Sequence, residues 1–571
     1  MQASRGREEK GKGMRLLKRA HDKDFWAEVR EEDCFARYRQ ELFSLWEKHC
    51  TKEVPTLTYS DFKLYWVTGD RKIYETKYFS RRLAMDCSAL LSLIYPEEEK
   101  YLQRLMDVIY VICDEYTWCL PAHQKVLETN NNSVIDLFAS ETGFALAEIY
   151  TMLEDRLEPL IKSRIRAEIE RRIISSYQSR EPYAWWETSG SNWNAVCTGS
   201  VACTVMLLYP ELFDSLKPRF DRAIEFYLNG FKDDGICVEG CGYWHYGFGF
   251  FAVYADMVRE FTGGRTDYFA REKVKTVSTF IQKMFLSGNA CVSFADGGRT
   301  LNYHLGLVHY LKKEYPNNVS VFSPSLSYNY DGCGRFCLQL RSLIWFDEKY
   351  YTNYDVSADT SLLAPDSEWL IKTNESYGFA AKGGHNDELH NHNDVGSFIF
   401  AKSGRQIFSD LGSGVYTRQY FSKERYGILE CSSRGHSVPI IDGKYQLFGK
   451  QYASKDVSYS DGIFSADISG AYALDELKSL KRSFTFTDLT VTLTDEFDYT
   501  GNGAITERLV TLAMPEMTEE GEITVDGVRL NYDPSVCTCE ISSEKRLCGD
   551  VCYFIDFTLN KGVTRFTCTV G

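Results

Sequence analysis

The chain has 571 residues, of which 44% are hydrophobic and 25% charged, a composition typical of a soluble globular protein long enough for two large domains. Its formal net charge of −15 opposes binding to nucleic acid or to an anionic membrane, so we expect neither as a partner. The charged first segment lacks a signal-type apolar run and no stretch reaches the roughly 18 apolar residues of a membrane helix, so we expect a cytoplasmic protein.

Residues from about Phe25 to Asp347 carry apolar side chains at helical spacing, most clearly in segments 136–177 and 195–231. Pro and Gly residues separate successive helical runs. This pattern predicts stacked helical hairpins or an α/α toroid, in a domain that spans residues 1–360.

Two loops in this helical half combine aromatic and polar residues. In segment 183–196, Asn192 and Asn194 lie at a predicted helix start, where an asparagine often serves only as an N-cap. In the Gly-rich segment 233–251, the side chains of Tyr243, His245 and Tyr246 either pack in the core or line a cleft. The sequence pattern alone leaves both interpretations open.

After about Pro365 the apolar pattern changes to period two, with Gly, Asp and Asn turns between the runs. We predict an antiparallel β-sandwich over residues 361–571, joined to the helical domain by a linker from Thr352 to Ser367. The predicted fold class is therefore multidomain α+β.

The densest polar cluster lies in residues 383–400, where His385, His390 and His392 fall within eight residues. On an extended strand His390 and His392 would point to the same face and serve one site. A polar loop with hydrogen-bonded histidines is the simpler alternative.

A candidate metal site combines this cluster with two downstream residues at strand edges. Asp410 follows a short apolar run, and His436 immediately precedes another. Together with His392 they form a His₂-carboxylate set, which suits Zn²⁺ with a fourth group completing the coordination.

Five segments, taken together, resemble the heparinase II/III-like polysaccharide lyases, whose members join an incomplete α/α toroid to a β-sandwich. The resemblance covers most of the chain. The segments that carry it are SNWNAV (191–196), EGCGYWHYGFGFF (239–251), KGGHNDELHNHNDVGSF (382–398), DLGSGVYTRQYFSKERY (410–426) and SSRGHSVPIIDG (432–443).

The resemblance implies roles for matching positions. It makes His390 and Tyr246 catalytic residues, and it assigns Asn192 or Asn194 to the substrate carboxylate. It also implies that the His392, Asp410 and His436 set binds zinc, which would organise the loop that presents His390. The expected substrate-binding residues are Trp193, Glu239, Tyr243, His245, His385, Arg418 and Arg434.

The implied activity is β-elimination on a uronate-containing oligosaccharide, in which the C5 proton is removed and the C4 oxygen leaves. A tyrosine base would need its pKa lowered by nearby positive charge. We expect Arg418, Arg425, Arg434 or the zinc ion to supply that charge. A homo-oligomer is left open.

Two alternatives belong to other functional classes. A glycoside hydrolase on an α/α toroid would need a pair of carboxylates. A non-catalytic carbohydrate-binding protein would keep the cleft without turnover. The candidate carboxylates for a hydrolase are Glu187, Asp233, Asp234, Glu239 and Asp296.

Overall fold

The computed structural model describes residues 16–124, 132–181, 183–300, 304–321, 332–352 and 360–571. The chain divides into two compact units. Unit 1 comprises residues 1–230, 245–275 and 302–354, and unit 2 comprises residues 231–244, 276–301 and 355–571.

The helix Glu348–Thr352 precedes the strand Thr360–Ala364, and the predicted domain boundary at residues 360–361 stays a prediction. The middle of the predicted linker lies outside the described residues. The two compact units do not correspond to a single division of the chain into a first and a second half. Segments 231–244 and 276–301 lie in the helical half of the sequence but belong by their contacts to unit 2.

Unit 1 is helical, as the apolar spacing predicts. Its α-helices are Lys23–Glu31, Ala36–Leu45, Tyr59–Phe62, Leu64–Thr68, Lys72–Ile94, Glu99–Cys113, Leu137–Leu153, Pro159–Ile169, Ser175–Ser179, Asn192–Leu208, Phe213–Asn229, Gly249–Phe261, Leu305–Glu314, Phe336–Ile344 and Glu348–Thr352. The helices Cys241–Tyr243 and Phe280–Lys283 belong to unit 2, and Glu272–Ser278 crosses the division between the units.

The helix Asn192–Leu208 is the centre of unit 1. It is buried along most of its length and packs against Leu137–Leu153, Phe213–Asn229 and Gly249–Phe261. A helix that is apolar on all sides is expected in such a position.

Within the described residues, no single helix has both the length and the apolar composition needed to cross a membrane, although one pair bent by 119°, Asn192–Leu208 with Pro210–Asn229, meets the two criteria jointly.

Unit 2 is built from antiparallel strands. One sheet has five strands in the order Thr360–Ala364, Trp369–Thr373, Gly378–Lys382, Phe398–Lys402 and Arg405–Phe408. A second has eight, in the order Lys455–Ser460, Ile463–Asp467, Leu477–Phe486, Val491–Tyr499, Arg565–Val570, Val528–Tyr532, Glu522–Val525 and Pro515–Glu519. A third has four, Cys537–Lys545, Val551–Leu559, Ile505–Thr511 and Ile440–Ile441. Two-stranded pairs are Phe285–Ser287 with Ala290–Cys291, and His385–Asn386 with Gly449–Ala453.

The sheets share one apolar core. Phe379 and Phe398 of the five-stranded sheet contact Phe484 of the eight-stranded sheet, with ring centroids 4.9 and 5.2 Å apart. Leu509 of the four-stranded sheet belongs to the same core. Burial alternates along the strand Val491–Tyr499, as the period-two pattern predicts for a strand with one face in the core.

A buried arginine fixes two polar loops to this core. Arg482 pairs with Asp495, with Nε 3.0 Å from Oδ1, and with Glu507, with Nη2 3.0 Å from Oε2. Its Nη1 also donates to the carbonyl oxygens of Gly396 (2.9 Å) and Ser437 (2.7 Å). Because these residues follow the 387–395 loop and His436, the sandwich core holds the loops that carry the candidate site.

Candidate active site and metal centre

Asp296 is the centre of a buried hydrogen-bond network in unit 2. It follows the short hairpin Phe285–Ser287 and Ala290–Cys291, and its carboxylate is fully buried. The preceding residue, Ala295, has a φ of 58°, a left-handed conformation that costs energy for a residue with a side chain. Backbone strain of this kind often marks a position where a functional group must be held in place.

The Oδ2 atom of Asp296 faces two donors. It lies 2.5 Å from Nδ1 of His390 and accepts a 2.9 Å hydrogen bond from the hydroxyl of Tyr416. Burial alone would raise the pKa of Asp296, but hydrogen bonds from His390 and His392 offset this and hold that pKa well below its usual range. Asp296 is therefore an ionised acceptor, which requires each facing histidine nitrogen to carry a proton.

The Oδ1 atom faces three further donors. His392 Nε2 lies 3.1 Å away, Arg425 Nη2 lies 3.2 Å away, and the hydroxyl of Tyr420 also donates to it. One carboxylate thus joins the candidate catalytic histidine to a candidate metal ligand. The sequence pattern indicated Asp296 only as a possible hydrolase carboxylate, and it gave Tyr416 and Tyr420 no individual role.

His390 lies in a turn, not on a strand. It occupies the loop between His385–Asn386 and Phe398–Lys402, with a φ of 55°. The extended geometry expected for His390 and His392 is therefore wrong, although both histidines reach one carboxylate. The His390 side chain is 19% exposed, and its Nε2 atom lies 3.6 Å from Oε2 of Glu239.

Tyr243 is the tyrosine beside this histidine. Its ring stacks on the His390 imidazole with centroids 4.1 Å apart and planes at 27°. Its hydroxyl lies 2.6 Å from that of Tyr416, so hydroxyl groups link Tyr243 to Asp296. Burial first, and then the negative charge of Asp296, raise the pKa of Tyr243, so its phenol is protonated at neutral pH.

Tyr246 has different neighbours, all in unit 1. Its hydroxyl donates to Glu141, and the guanidinium of Arg335 lies 3.8 Å above its ring. Burial and then Glu141 raise its pKa well above the ordinary value, and Arg335 only partly opposes them. The expectation that positive charge lowers the pKa of a catalytic tyrosine is therefore wrong for Tyr246.

The three arginines expected near the site differ in their environments. Arg425 is buried and binds Asp296 together with the backbone carbonyls of His390 and Asn391. Arg434 forms a partly exposed ion pair with Glu544, and its expected substrate contact stays a prediction. Arg418 is exposed and precedes the turn Gln419–Phe421. Arg425 is thus the arginine that stabilises the carboxylate network.

The two candidate asparagines start the central helix of unit 1. The Asn194 amide donates to the carbonyls of Ser189 (2.8 Å) and Ala223 (2.7 Å), and its oxygen accepts from Thr198. Asn194 is fully buried, so it holds the helix start in place and does not fit the role of a substrate-carboxylate ligand. The role implied for Asn192, which is 3% exposed, stays a prediction.

The remaining candidate residues have these positions. Trp193 packs against His123 at a centroid distance of 4.7 Å, and His245 is buried in unit 1. In unit 2, Glu239 faces His390, while His385 Nε2 lies 3.3 Å from Oε1 of Glu388.

His392, Asp410 and His436 form a buried cluster whose ligand atoms all lie within 4.8 Å of one another. The Nε2 atom of His436 lies 2.8 Å from the carbonyl oxygen of Glu430, an acceptor-only group, so Nε2 carries the proton. The Nε2 atom of His392 is likewise held by Asp296. In its neutral form each histidine therefore presents the lone pair of Nδ1 to the cluster.

The cluster fits a divalent metal ion. Within the part of the chain that the structure describes, Nδ1 of His392, Nδ1 of His436 and Oδ2 of Asp410 are buried without a hydrogen-bond partner. The last two lie 3.1 Å apart, close but not aligned for a hydrogen bond. Three buried lone-pair donors that converge on one point suit Zn²⁺, and outer hydrogen bonds orient both imidazoles as metal sites require.

No protein-family model matches the sequence, and a search of curated proteins gave no match. Solved structures do match. Heparinase III is 14% identical, with 96% of this chain and 91% of that chain covered and a TM-score of 0.59. A mutant of heparan sulfate lyase HepC from Pedobacter heparinus is 11% identical, with 93% and 88% covered and a TM-score of 0.59. A chondroitin AC lyase from Streptomyces coelicolor A3, in complex with chondroitin sulphate, is 9% identical, with 96% and 82% covered and a TM-score of 0.53.

Such low identities show a shared fold. Together with the helical and antiparallel units described above, they confirm the predicted fold class. The chain thus has the heparinase-like fold, an α/α toroid followed by an antiparallel β-sandwich.

Proposed function

We propose that the protein is a lyase that cleaves uronate-containing oligosaccharides by β-elimination. The observation that carries this proposal is the stacking of Tyr243 on His390, both of which are linked to the buried carboxylate of Asp296. The fold adds support, because similar structures include a heparan sulfate lyase and a chondroitin AC lyase.

His390 has the geometry of a general base. Its Nδ1 faces Asp296, so the neutral imidazole has its lone pair on Nε2, which lies at the partly exposed edge of the ring, 3.6 Å from Oε2 of Glu239. In the proposed step Nε2 takes the proton from C5 of the uronate, the C–H electrons form the C4–C5 double bond, and the C4–O bond breaks. General base catalysis of this kind contributes roughly 10²–10⁴-fold to a rate.

Tyr243 is the proposed acid. A phenol with a raised pKa keeps its proton at neutral pH and donates it to the leaving C4 oxygen, which completes the elimination. The hydroxyl of Tyr416, 2.6 Å away, then offers a route for reprotonation. The catalytic role implied for Tyr246 by resemblance stays a prediction, and the comparison of the two tyrosines below tests it.

We also propose that His392, Asp410 and His436 hold a structural Zn²⁺ ion. The bound ion would cross-link the loop that carries His390 to the segments that carry Asp410 and His436. The residues themselves supply the orientation, because Asp296 and the Glu430 carbonyl fix the proton-bearing nitrogen of each histidine.

Hydrolysis is disfavoured by the bonding of the candidate carboxylates. Glu187 is held by two bonds from Arg219, with N–O distances of 2.7 and 2.8 Å. Asp234 accepts from the backbone and side chain of Ser367, and Asp296 is saturated by five donors. Glu187, Asp234 and Asp296 therefore do not offer the free acid and nucleophile that hydrolysis requires, and the activity screen decides for Asp233 and Glu239.

The test is a screen of heparan-, chondroitin-, hyaluronan- and alginate-type oligosaccharides, read by the ultraviolet absorbance of the unsaturated uronate product. Lyase activity gives absorbance in step with new reducing ends. New reducing ends without absorbance would replace the lyase proposal with hydrolysis, and binding without either signal would favour a non-catalytic sugar-binding protein.

A further inference from the structure

The two histidines on either side of Asp296 need opposite nitrogens for their proposed tasks. His390 needs a free Nε2 for the uronate proton, whereas His392 needs a free Nδ1 for the metal cluster. Asp296 lies opposite Nδ1 of the first and Nε2 of the second. An imidazole donates from the nitrogen that faces an ionised carboxylate, which leaves the other nitrogen as the acceptor.

We infer that Asp296 is a positioning residue that sets the proton-bearing nitrogen of both histidines, and thereby couples the metal centre to the catalytic base. The part that concerns His390 rests on the proposed function. The part that concerns His392 needs only the metal centre. In this proposal Asp296 acts through the two histidines and not directly on the substrate or the metal ion.

The two carboxylate oxygens of Asp296 have different neighbours, so an effect on His390 can be separated from an effect on His392. Oδ1 faces Arg425, Tyr420 and His392, whereas Oδ2 faces His390 and Tyr416. In an Asp296→Asn variant the amide NH₂ cannot face the Arg425 guanidinium, because both groups are donors. The amide oxygen must therefore take the Oδ1 position, and the NH₂ group must face His390.

This orientation predicts a selective effect of Asp296→Asn. The proton of His390 moves to Nε2, so the base is lost, while His392 keeps its acceptor. We expect kcat to fall by roughly 10⁴-fold, as when an imidazole is held in the wrong tautomer. The affinity for Zn²⁺ should stay within about threefold of wild type, since removal of an outer acceptor is what costs 10–100-fold.

The Asp296→Ala variant removes both acceptors. We expect it to lose catalysis as well, and to weaken Zn²⁺ binding by roughly 10–100-fold. Asp533→Asn is the matched control, because Asp533 is another carboxylate of unit 2, accepts hydrogen bonds from Ser535 and has no role in the proposed site. That control should retain both the rate and the affinity.

The experiment measures three quantities on the full chain: kcat and KM on a cleaved oligosaccharide, Zn²⁺ affinity by competition with a chromogenic chelator, and histidine tautomers by ¹⁵N spectroscopy. Asp296→Asn should show His390 protonated on Nε2 and His392 unchanged. A variant that keeps the Nδ1 proton of His390, or wild-type affinity for Zn²⁺ in Asp296→Ala, would overturn the inference.

Failure of the proposed function gives a different result. If the wild-type chain cleaves no uronate oligosaccharide, the lyase proposal fails, but the tautomer and Zn²⁺ measurements still decide the role of Asp296. If wild type binds no Zn²⁺, the coupling to a metal centre is refuted whatever the activity.

Discussion

The ring of Tyr243 lies flat against the imidazole of His390, with centroids 4.1 Å apart, and both side chains lead to the same carboxylate of Asp296. An acid and a base held against each other in this way can act on neighbouring atoms of one sugar ring. Tyr246, three residues later, is the poorer candidate for the acid, because its hydroxyl donates to Glu141.

Exchange of each tyrosine for phenylalanine separates the two candidates. We expect Tyr243→Phe to lower kcat by roughly 10²–10⁴-fold with little change in KM, because only the proton donor is removed while the stacked ring remains. Tyr246→Phe should lower kcat by less than about tenfold, well short of that range. Steady-state kinetics of both variants provide the measurement. A larger loss in Tyr246→Phe than in Tyr243→Phe would favour Tyr246 as the catalytic tyrosine.

Replacement of His390, the proposed base, distinguishes a role in catalysis from a role in substrate binding alone. We expect His390→Gln to lower kcat by roughly 10²–10⁴-fold while the dissociation constant for the same oligosaccharide stays close to wild type. Binding is measured by calorimetry and turnover by product absorbance. His49→Gln is the control, because that histidine lies in unit 1, contacts Ser80 and has no role in the proposed site. Turnover by His390→Gln at the wild-type rate would exclude His390 as the base.

Parts of this site were predictable because they are local in sequence. His390 and His392 stand two residues apart, and Asp410 and His436 each flank a short strand, so the histidine cluster and the metal set were recognisable from spacing and resemblance. The strands themselves followed from period-two burial, as in Val491–Tyr499.

The role of Asp296 could not be predicted from sequence spacing or resemblance. It is 94 residues from His390 along the chain and lies after a short hairpin that has no repeating pattern. Only tertiary contacts place it between the histidines. Tyr246 is a related case, because resemblance gives a position along the chain but not the neighbours that each of two nearby tyrosines has in the fold.

Metal removal should destabilise the protein. A ligand that binds only the folded state adds about 4 kcal/mol when its free concentration is about a thousand times its dissociation constant. We therefore expect a chelator to lower the Tm and added Zn²⁺ to restore it. His436→Ala should show no response to Zn²⁺, whereas His385→Ala, which keeps all three ligands, should respond like wild type. Equal melting curves with and without chelator would remove the metal centre from the proposal.

Glu141 makes stability depend on pH within unit 1. Burial, opposed in part by Arg335 and Tyr246, raises its pKa from 4.5 to about 7 in the folded chain. The folded state therefore binds more protons than the unfolded state between these values, so Glu141 contributes stability below pH 4.5 that is lost as the pH rises toward 7. The shift corresponds to about 3 kcal/mol.

A Glu141→Gln variant should abolish this dependence, because the amide is neutral at every pH and its oxygen still accepts from the hydroxyl of Tyr246. The measurement is the free energy of unfolding in urea at pH 5 and pH 7.5 for wild type, for Glu141→Gln and for Glu47→Gln, which alters an exposed glutamate of the same unit. Wild type and Glu47→Gln should both lose more stability than Glu141→Gln between the two values. If all three lost the same amount, Glu141 would have to be ionised throughout this range, and Arg335 would then outweigh the cost of burying its charge.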